Sequence, residues 1–496
     1  MAGSAQPTKT HILLVPYPLQ GHIIPAVHLA LKLAAAGFSI TFVNTEAVHH
    51  QTALAHQLLP SPIIEGGGGS HRDIFAAARA YGLDIRYELV GDGLPVCFDR
   101  SLHHDEFMSH LLHCLRDNVE ALVRRLPSLS CLIADTFFVW PATLARSLSI
   151  PYVSFWTEAA LVFSVYYHMD LLRQHGHFPA SDEHQTEIIT YLPGVPAIGR
   201  MDLMSYIQEA DTTSVVHQII FKAFEEAHQA DFILCNTVEE LEPSTIAALQ
   251  EKKPFYAVGP IFPAGFTRST VATSLWVESD CSQWLDARPI GSVLYISFGS
   301  YAHIKKADLD EIAHGVMASR ANFVWVLRPD VVSSADPDPL PARFREETEG
   351  RGIVVPWCCQ VEVLSHAAVG AFLTHCGWNS ILESIWSGVP MLCFPLLTDQ
   401  FTNRKLVVED WRVGINLCGG KSRGPVNRSE VAAKIDGLMT GEEGMGTREE
   451  LNKVRSVLQG ALATGGSSHR NFLKFIEDLK DSISKRTTCE AAGDGG

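Results

Sequence analysis

The chain has 496 residues, 46% of them hydrophobic and 19% charged, and a formal net charge of −16. This composition is typical of a folded globular protein of two or three domains and excludes a disordered chain. The negative charge argues against nucleic acid or an anionic membrane as a partner, because both select a basic surface.

Cysteine usage and the amino terminus point to the cytoplasm. The eleven cysteines include no CxxC pair, which favours reduced thiols over a disulfide framework or a zinc site. The apolar run Ile12–Val15 is far too short for a signal peptide or a membrane span, and no long uncharged run follows. We therefore expect a cytoplasmic protein with no stable membrane insertion.

The first elements predict a strand–helix–strand unit. A strand at Ile12–Val15, a loop broken by Pro and Gly, a helix over Ile24–Ala35 and a strand over Ser39–Val43 follow one another. This order predicts a parallel sheet with a right-handed crossover. Further strands of this half are predicted at Cys131–Ala134, Tyr152–Phe155 and Phe232–Cys235.

A second alternating block follows a segment rich in Pro, Gly and Thr, which predicts an interdomain linker over residues 256–275. Its strands are predicted at Ser292–Ser300 (a strand, then a turn), Asn322–Arg328, Gly352–Trp357, Val369–His375 and Val389–Pro395. An amphipathic helix over residues 467–485 is expected to return to the N-terminal domain, and residues 486–496 are expected to form a disordered tail.

Two α/β blocks of similar size predict two Rossmann-like domains that face each other across a cleft, residues 1–255 and 276–466. Ligands in such sheets bind at the carboxyl ends of the strands. His22, Asp135, Ser300 and His375 each follow a predicted strand. We therefore expect these four side chains to face the cleft.

Polar side chains are concentrated in the 44 residues from Trp357 to Gln400. At its centre, the sequence HCGWNS (375–380) marks the point where a strand turns into a helix. Free N–H groups and the positive end of the helix dipole make such a turn a phosphate site. An ordinary strand and an amphipathic helix account for the apolar residues of this segment, such as Phe372 and Ile381, but not for its polar ones.

The other polar residues of this segment suit the remaining parts of a sugar nucleotide. Trp357 and Gln360 suit a uracil ring, since they offer a flat indole and an amide. Glu383, one turn into the helix, suits the two hydroxyls of a ribose. Asp399 and Gln400 offer acceptors and donors for sugar hydroxyls.

His22, in PLQGH, is a candidate general base because the pKa of a free imidazole lies near neutral pH. Asp135, in CLIADTF, is a candidate partner, since a carboxylate that accepts from a histidine ring fixes its tautomer. The alternatives are a solvated loop histidine and a helix-capping aspartate. Spacing alone does not pair the two residues.

Taken together, these motifs resemble the plant family 1 UDP-glycosyltransferases, whose signature box corresponds to Trp357–Gln400. The similarity extends to VGPIFP (258–263), DCSQWLDARP (280–289) and ISFGS (296–300). The resemblance implies a GT-B type fold, a donor site in the C-terminal half, an acceptor site in the N-terminal half and a His22–Asp135 catalytic dyad. Cys359 departs from the family, since many members have proline there.

The resemblance also implies which residues bind the UDP-sugar: Thr157, Ser300, Trp357, Cys358, Gln360, His375, Gly377, Trp378, Asn379, Ser380, Glu383, Asp399 and Gln400. For Thr157, a cap of the next helix is the alternative, and for Ser300, a plain turn. Aromatic residues are frequent in the N-terminal loops, and from them we predict that Phe137 and Trp156 contact an apolar acceptor. A role in the core is the alternative for each.

The predicted function is an inverting transfer of glucose from UDP-glucose to a hydroxyl or carboxyl of a small apolar acceptor, such as a phenolic or a terpenoid. In the resembled family a terminal glutamine, here Gln400, accompanies glucose, and an amide can bridge two neighbouring hydroxyls. We expect no metal or other cofactor, and a monomer. A non-catalytic nucleotide-sugar-binding protein and a sugar-nucleotide epimerase on the same architecture stay open as alternatives.

Overall fold

The computed structural model describes residues 9–56, 73–181, 187–262, 271–332, 338–418 and 425–493. Part of the predicted linker (263–270) and the last residues of the predicted tail (494–496) lie outside these ranges. Within the described residues, no helix combines the length and the apolar character that crossing a membrane requires.

The N-terminal domain is built on a seven-stranded parallel sheet in the order β3-β2-β1-β4-β5-β8-β9. Two further strands, β6 and β7, form a separate antiparallel pair. In chain order the strands are β1 (His11–Val15), β2 (Ser39–Thr45), β3 (Ile85–Val90), β4 (Cys131–Asp135), β5 (Tyr152–Trp156), β6 (Ile188–Ile189), β7 (Ile198–Gly199), β8 (Phe232–Cys235) and β9 (Phe255–Ala257).

The C-terminal domain contains a six-stranded parallel sheet in the order β12-β11-β10-β13-β14-β15. Its strands are β10 (Val293–Ser297), β11 (Asn322–Val326), β12 (Gly352–Val355), β13 (Val369–Thr374), β14 (Met391–Cys393) and β15 (Gly414–Asn416). In both sheets the order reverses beside the first strand, which is the Rossmann arrangement that opens a crevice at the carboxyl ends.

The helices of the N-terminal half are α1 (Gln20–Ala35), α2 (Glu46–Ala55), α3 (Ala76–Ala80), α4 (His104–His113), α5 (Leu115–Val123), α6 (Pro141–Ser147), α7 (Ala160–Tyr167), α8 (Met169–Gln174), α9 (Val215–Ala227) and α10 (Pro243–Gln250). Those of the C-terminal half are α11 (Ser282–Asp286), α12 (Lys306–Ser319), α13 (Phe344–Glu347), α14 (Gln360–Ser365), α15 (Trp378–Ser387), α16 (Gln400–Lys405), α17 (Arg428–Thr440), α18 (Glu442–Leu462) and α19 (Ser467–Gly493). Single 3₁₀ turns lie at Arg200–Asp202, Ser205–Gln208 and Glu239–Leu241, and a π turn at Leu406–Asp410.

Every strand predicted from sequence is present, and the strands not predicted are short or mixed in polarity. β9 and β15 have three residues each, and β6 and β7 have two. β3 alternates apolar and charged residues at the edge of its sheet, so it shows no apolar run. The first helix begins at Gln20, four residues before the predicted start.

The two domains share a hydrophobic core. One cluster of buried side chains includes Trp156 and Cys235 from the N-terminal sheet and Tyr295 and Trp378 from the C-terminal domain. Two further clusters lie on the N-terminal sheet and one on the C-terminal sheet, packed with helices of the same domain and, for the N-terminal sheet, also with α19. The shared cluster therefore holds the carboxyl ends of the two sheets against each other.

The last helix lies on the N-terminal domain. The ring of Phe475 on α19 is fully buried and packs edge-on against Phe232 and Tyr256, with ring centroids 6.1 and 5.7 Å away. The Tyr256 hydroxyl donates to Asp478 of the same helix over 2.5 Å. Residues 486–493 of the expected disordered tail are helical instead, because α19 continues to Gly493.

We expect Phe475→Ala to lower the free energy of unfolding by about 3–5 kcal/mol, because it leaves a cavity between α19 and the N-terminal sheet. Urea unfolding followed by fluorescence measures the change. Leu473→Ala is the matched control, since Leu473 lies on the same helix and is 52% exposed. Equal effects of the two substitutions would show that α19 does not depend on this contact.

Candidate active site

The cleft between the domains contains two adjoining cavities. The larger, of about 360 Å³, is lined by Trp357, Gln360 and Glu383. The smaller, of about 220 Å³, is lined by His22, Thr157 and the Asp399–Gln400 pair. Both are lined by Gly21, Ser300, His375, Gly377, Trp378 and Asn379. The start of α1 and the start of α15 therefore form the boundary between the two cavities.

His22 and Asp135 are in contact at the wall of the smaller cavity. Nδ1 of His22 lies 2.8 Å from Oδ2 of Asp135, whose other oxygen accepts from the backbone N–H of Phe137 over 3.0 Å. A carboxylate only accepts, so Nδ1 carries the proton and Nε2 keeps its lone pair for a ligand. His22 lies in the first turn of α1, not in the loop where the sequence placed it.

Neither member of this pair is a helix cap. Asp135 ends β4 and its carboxylate is used by His22 and Phe137, while the next helix, α6, begins six positions later at Pro141. The hydroxyl oxygen of Thr157 lies 3.0 Å from Nδ1 of His22. The side chain of Thr157 therefore faces the histidine, and it does not cap α7.

The start of α15 points into both cavities without a side-chain cap. The helix begins at Trp378, and its N-cap residue is Gly377, which offers no side chain to the first N–H groups. These N–H groups and the positive end of the helix dipole face the cavities. The arrangement can bind an anion without a cationic side chain.

The ring of His375 lies between two glycines. A Cβ atom at Gly299 or at Gly377 would lie 2.4 or 2.5 Å from its Nε2 atom, so only glycine leaves room for the ring at either position. Burial, with a smaller effect of Arg328, lowers the pKa of His375 to about 4. The ring is therefore neutral at neutral pH.

Gln360 contacts Glu383, and this differs from the sequence-based interpretation. The amide of Gln360 donates to Glu383 over 2.7 Å and to the Ser380 hydroxyl over 2.9 Å, and it accepts from the Tyr295 hydroxyl over 3.3 Å. Its polar atoms are thus used by the protein beside the residue expected at the ribose. Burial raises the pKa of Glu383 to about 7, although the Gln360 hydrogen bond opposes this.

Trp357 and Cys358 are the other predicted residues that line the larger cavity. Trp357 is partly exposed, and its ring centroid lies 6.4 Å from that of Trp276. Cys358 is 3% exposed, with its sulfur 3.7 Å from the Tyr295 hydroxyl. The indole face of Trp357 is the surface here that can stack on a planar ring.

At the far end of the smaller cavity, the amide oxygen of Gln400 accepts from the backbone N–H groups of Leu396 and Leu397, over 2.9 and 3.1 Å. Only its N–H donors remain for a ligand. The idea that this amide bridges two sugar hydroxyls with one donor and one acceptor is therefore wrong. Asp399 accepts from Thr398 and Asn403, and burial raises the pKa of its carboxyl.

Trp378 and Asn379 connect the two domains. The indole N–H of Trp378 donates to the carbonyl of Asn236 over 2.7 Å, and the Asn379 amide donates to the carbonyl of Gly21 over 2.8 Å. Gly21 has a free carbonyl because Pro25, four residues along α1, lacks the N–H that would normally bind it. Sequence reasoning missed Asn236, since its partner lies more than a hundred residues away.

Of the two aromatic residues predicted at the acceptor, one lines the smaller cavity. Phe137 lines it beside His22, with ring centroids 5.8 Å apart. The prediction for Trp156 is wrong: its ring is 1% exposed, packs against Phe163 and Phe224, and donates its N–H to the carbonyl of Ala159.

Several lining residues were missed from sequence because they come from separate segments that only the fold brings together: Tyr17, Met108, Tyr206, Ile219 and Tyr301. Among the described residues, no cluster of three or more His, Cys, Asp or Glu side chains is arranged to hold a metal ion.

Comparison with known proteins identifies the family of the chain. Residues 277–418 match the family described as UDP-glucoronosyl and UDP-glucosyl transferase. UDP-glycosyltransferase 86A2 of Arabidopsis thaliana is 55% identical, over 97% of this chain and 98% of that protein. UDP-glycosyltransferase 86A1 of the same plant is 53% identical, over 97% of this chain and 96% of that protein.

Solved structures of similar fold carry related ligands. A UDP-glucose: anthocyanidin 3-O-glucosyltransferase in complex with UDP has a TM-score of 0.78 and 26% identity, over 96% of this chain and 100% of that chain. Phytolacca americana UGT2, complexed with UDP-2fluoro-glucose and pterostilbene, has a TM-score of 0.75 and 27% identity, over 95% and 100%. These neighbours confirm the predicted GT-B type architecture.

The raised pKa of Glu383 predicts a pH-dependent difference in stability between the wild type and Glu383→Gln. A carboxyl whose folded pKa is raised contributes stability that is fully present below its unfolded pKa and is lost as pH rises through about 7. We expect the wild type to lose about 2 kcal/mol relative to the variant between roughly pH 5.5 and pH 8. Urea unfolding at both pH values measures this.

The control for this measurement is Glu477→Gln on α19, whose side chain is 71% exposed. Its difference from the wild type should stay constant over the same range. If the Glu383→Gln difference were also constant, Glu383 would not be held in its protonated form by burial.

Proposed function

Because the chain belongs to the plant UDP-glycosyltransferases, we propose that it is an inverting glucosyltransferase that uses UDP-glucose and a small apolar acceptor with a hydroxyl group. The observation that carries the proposal is the His22–Asp135 pair, which faces the uncapped start of α15 across one continuous cleft. That arrangement places a proton acceptor on one side of the cleft and an anion site on the other. A direct displacement at a sugar carbon requires both.

His22 is the proposed general base. Its unprotonated Nε2 takes the proton of the acceptor hydroxyl while the oxygen forms a bond to the anomeric carbon, and the bond from that carbon to the UDP oxygen breaks. A single displacement of this kind inverts the configuration at the carbon. Asp135 is the proposed orienting residue, because it holds the tautomer of His22 and stabilises the imidazolium that forms.

Negative charge develops on the UDP as it leaves the sugar. The N–H groups at the start of α15, the Ser300 hydroxyl and the neutral ring of His375 surround the boundary between the two cavities. Their preorganised dipoles support the proposal that the leaving group is stabilised without a metal ion. Glu383 and Trp357 suit the ribose and the uracil at the other end of the larger cavity.

The sugar is assigned to the smaller cavity, beside Thr157, Asp399 and Gln400. Asp399 offers acceptor oxygens and Gln400 offers N–H donors, so the pair presents opposite polarities to neighbouring hydroxyls. A sugar with a hydroxyl in the wrong orientation leaves one of these buried groups without a partner. This supports selection among hexoses and motivates the choice of glucose.

The acceptor is assigned to the rest of the smaller cavity. Its wall carries apolar side chains from several segments, including Met108, Phe137 and Ile219, and it adjoins Nε2 of His22. A solved relative binds pterostilbene and another is described as acting on anthocyanidin. A small phenolic compound or a terpenoid fits this apolar wall, with its hydroxyl directed to His22.

Cofactor requirement, assembly and compartment stay predictions: no metal, a monomer, and a cytoplasmic location. The two alternatives lack a supporting observation of their own. A binding protein without activity has no need of the His22–Asp135 hydrogen bond. An epimerase has no need of an apolar acceptor cavity beside that pair.

We expect His22→Ala to lower kcat by about 10²–10⁴-fold while the Kd for UDP changes little, because the base lies in the opposite domain from the nucleotide. Asp135→Asn should also lower kcat, since an amide stabilises an imidazolium poorly. Product formation from UDP-glucose with a panel of phenols gives kcat, and calorimetric titration with UDP gives Kd.

His113→Ala is the control for these variants, because His113 is an exposed histidine of the same domain. Loss of UDP affinity together with activity in His22→Ala would contradict the role assigned to His22. Unchanged kcat in Asp135→Asn would contradict the role of Asp135.

UDP-glucose is expected to be used about one to two decades better than UDP-galactose, since the inverted hydroxyl leaves a buried polar group of the sugar site unpaired. The two donors compete for one acceptor, and the sugars released from the product are separated and quantified. Equal use of the two donors, or a preference for galactose or glucuronate, would show that other residues select the sugar.

A further inference from the structure

Glu158 lies in the wall of the smaller cavity, and the roles described above do not use it. It follows Thr157 directly and lines the same cavity as Asp399 and Gln400. Its Oε2 atom is inaccessible to solvent and has no hydrogen-bond partner in the protein. An ionised carboxyl oxygen buried without a partner is costly, so this position favours a neutral carboxyl, and the accessible part of the side chain lines the cavity.

A structural role in the next helix does not explain Glu158. A glutamate just before a helix commonly binds the free N–H groups of its first turn, but at α7 another residue does this. The carboxylate of Glu242 accepts from the N–H groups of Ala160 and Leu161, over 3.0 and 2.7 Å, and from the hydroxyl of Thr237. The carboxyl of Glu158 is therefore left free to face the cavity.

The backbone around Glu158 is held on both sides. Its carbonyl accepts from the Cys235 thiol over 3.5 Å, and the carbonyl of Ala159 accepts from the Trp156 indole over 2.9 Å. Glu242 fixes the helix that follows. The side chain of Glu158 is thus presented to the cavity from a rigid segment, which is the requirement for a residue that recognises a substrate.

The groups around Glu158 favour its protonated form. Asp399 from the other domain and Asp135 at the end of β4 both oppose the ionisation of Glu158. Within the described lining of the cavity there is no lysine or arginine that would favour ionisation. Glu158 in turn influences Tyr166 of α7 and Cys235 of β8, and further titratable side chains line the same cavity: Tyr17, His22, His104, Tyr206, Tyr301 and His375. Burial first, then Asp399 and Asp135, raise the pKa of Glu158 well above its usual range.

Asp135 and Asp399 have the partners that Glu158 lacks. Asp135 is paired with His22, and Asp399 accepts from Thr398 and Asn403. Of the three carboxyls near this cavity, Glu158 is therefore the one whose ionised form no hydrogen bond of the protein stabilises. A neutral carboxyl in a dry site has an O–H donor, which an ionised carboxylate lacks.

We propose that Glu158, as a neutral carboxyl, donates a hydrogen bond to a hydroxyl of the transferred sugar. The inference rests on the proposed function, since it requires a UDP-sugar in this cleft. Glu158 follows Thr157 in the chain and is influenced by Asp399, and all three line the same cavity, so Glu158 belongs with the residues assigned to the sugar. A sugar hydroxyl can then accept from Glu158 while it or its neighbour donates to Asp399.

The test compares Glu158→Ala and Glu158→Gln with the wild type, using UDP-glucose and UDP-glucose analogues that each lack one hydroxyl. Glu158→Ala should lower kcat/KM for UDP-glucose by about 10- to 100-fold, because a sugar hydroxyl loses its donor. Glu158→Gln keeps a neutral donor and should restore activity to within about threefold of the wild type. For one of the analogues that lack a hydroxyl, Glu158→Ala should have the same kcat/KM as the wild type.

The pH dependence gives a second readout that a merely structural role would not move. As pH rises, ionisation of Glu158 removes its donor, so the activity of the wild type should fall relative to Glu158→Gln. His22, Asp135, Asp399, Tyr166 and Cys235 are common to both proteins, and the ratio of activities therefore isolates Glu158. An infrared difference spectrum of the two proteins at neutral pH should show a protonated-carboxyl band in the wild type.

Glu225→Ala, at an exposed position of α9, is the control and should retain wild-type activity. The inference would be overturned if Glu158→Ala lowered kcat/KM equally for all donors. It would also be overturned if the ratio of wild-type to Glu158→Gln activity stayed constant with pH. Either result would leave the proposed function intact. A wild type that transfers no sugar from any UDP-sugar would overturn both. Absence of the infrared band would overturn the neutral carboxyl independently of activity.

Discussion

A hydrogen bond to the carbonyl of Gly21 joins the two halves of the cleft. Pro25 has no N–H to close this turn of α1, so the carbonyl accepts instead from Asn379 of the other domain. The helix that carries His22 is thereby joined to the helix whose start faces the anion site. This hydrogen bond therefore contributes to fixing the distance between His22 and the start of α15.

The hydrophobic core that crosses the domain boundary supports this contact. Trp378 belongs to the shared cluster and donates to the carbonyl of Asn236, at the end of a strand of the N-terminal sheet. Asn236 in turn donates to Asn379 over 3.4 Å. The apolar contacts hold the two domains together. The buried hydrogen bonds determine the position of one domain relative to the other, because a displaced partner would leave a polar group unsatisfied.

Burial divides the titratable groups of the cleft into two kinds. The pKa of His375 is lowered, and those of Glu158 and Glu383 are raised, so all three favour a neutral form. Asp135 instead faces a histidine that can become charged. In the proposed reaction, the change of charge on the protein is thus confined to the His22–Asp135 pair, and the site binds the leaving UDP through dipoles. Such a site needs little reorganisation when charge moves.

The sequence by itself determined the two α/β domains, the strands that carry the site and the family, because these follow from local hydrophobic periodicity and from motifs contiguous in the chain. It also named His22 and Asp135, but it paired them only through the family resemblance, since their spacing does not pair them. Only the tertiary structure decided which atoms meet. Trp156 belongs to the core, Gln400 uses its oxygen on the backbone, and Glu158 is left without a partner because Glu242 occupies the helix start. Each of these depends on hydrogen bonds between distant segments, and local sequence carries no record of where a side chain finds its partner.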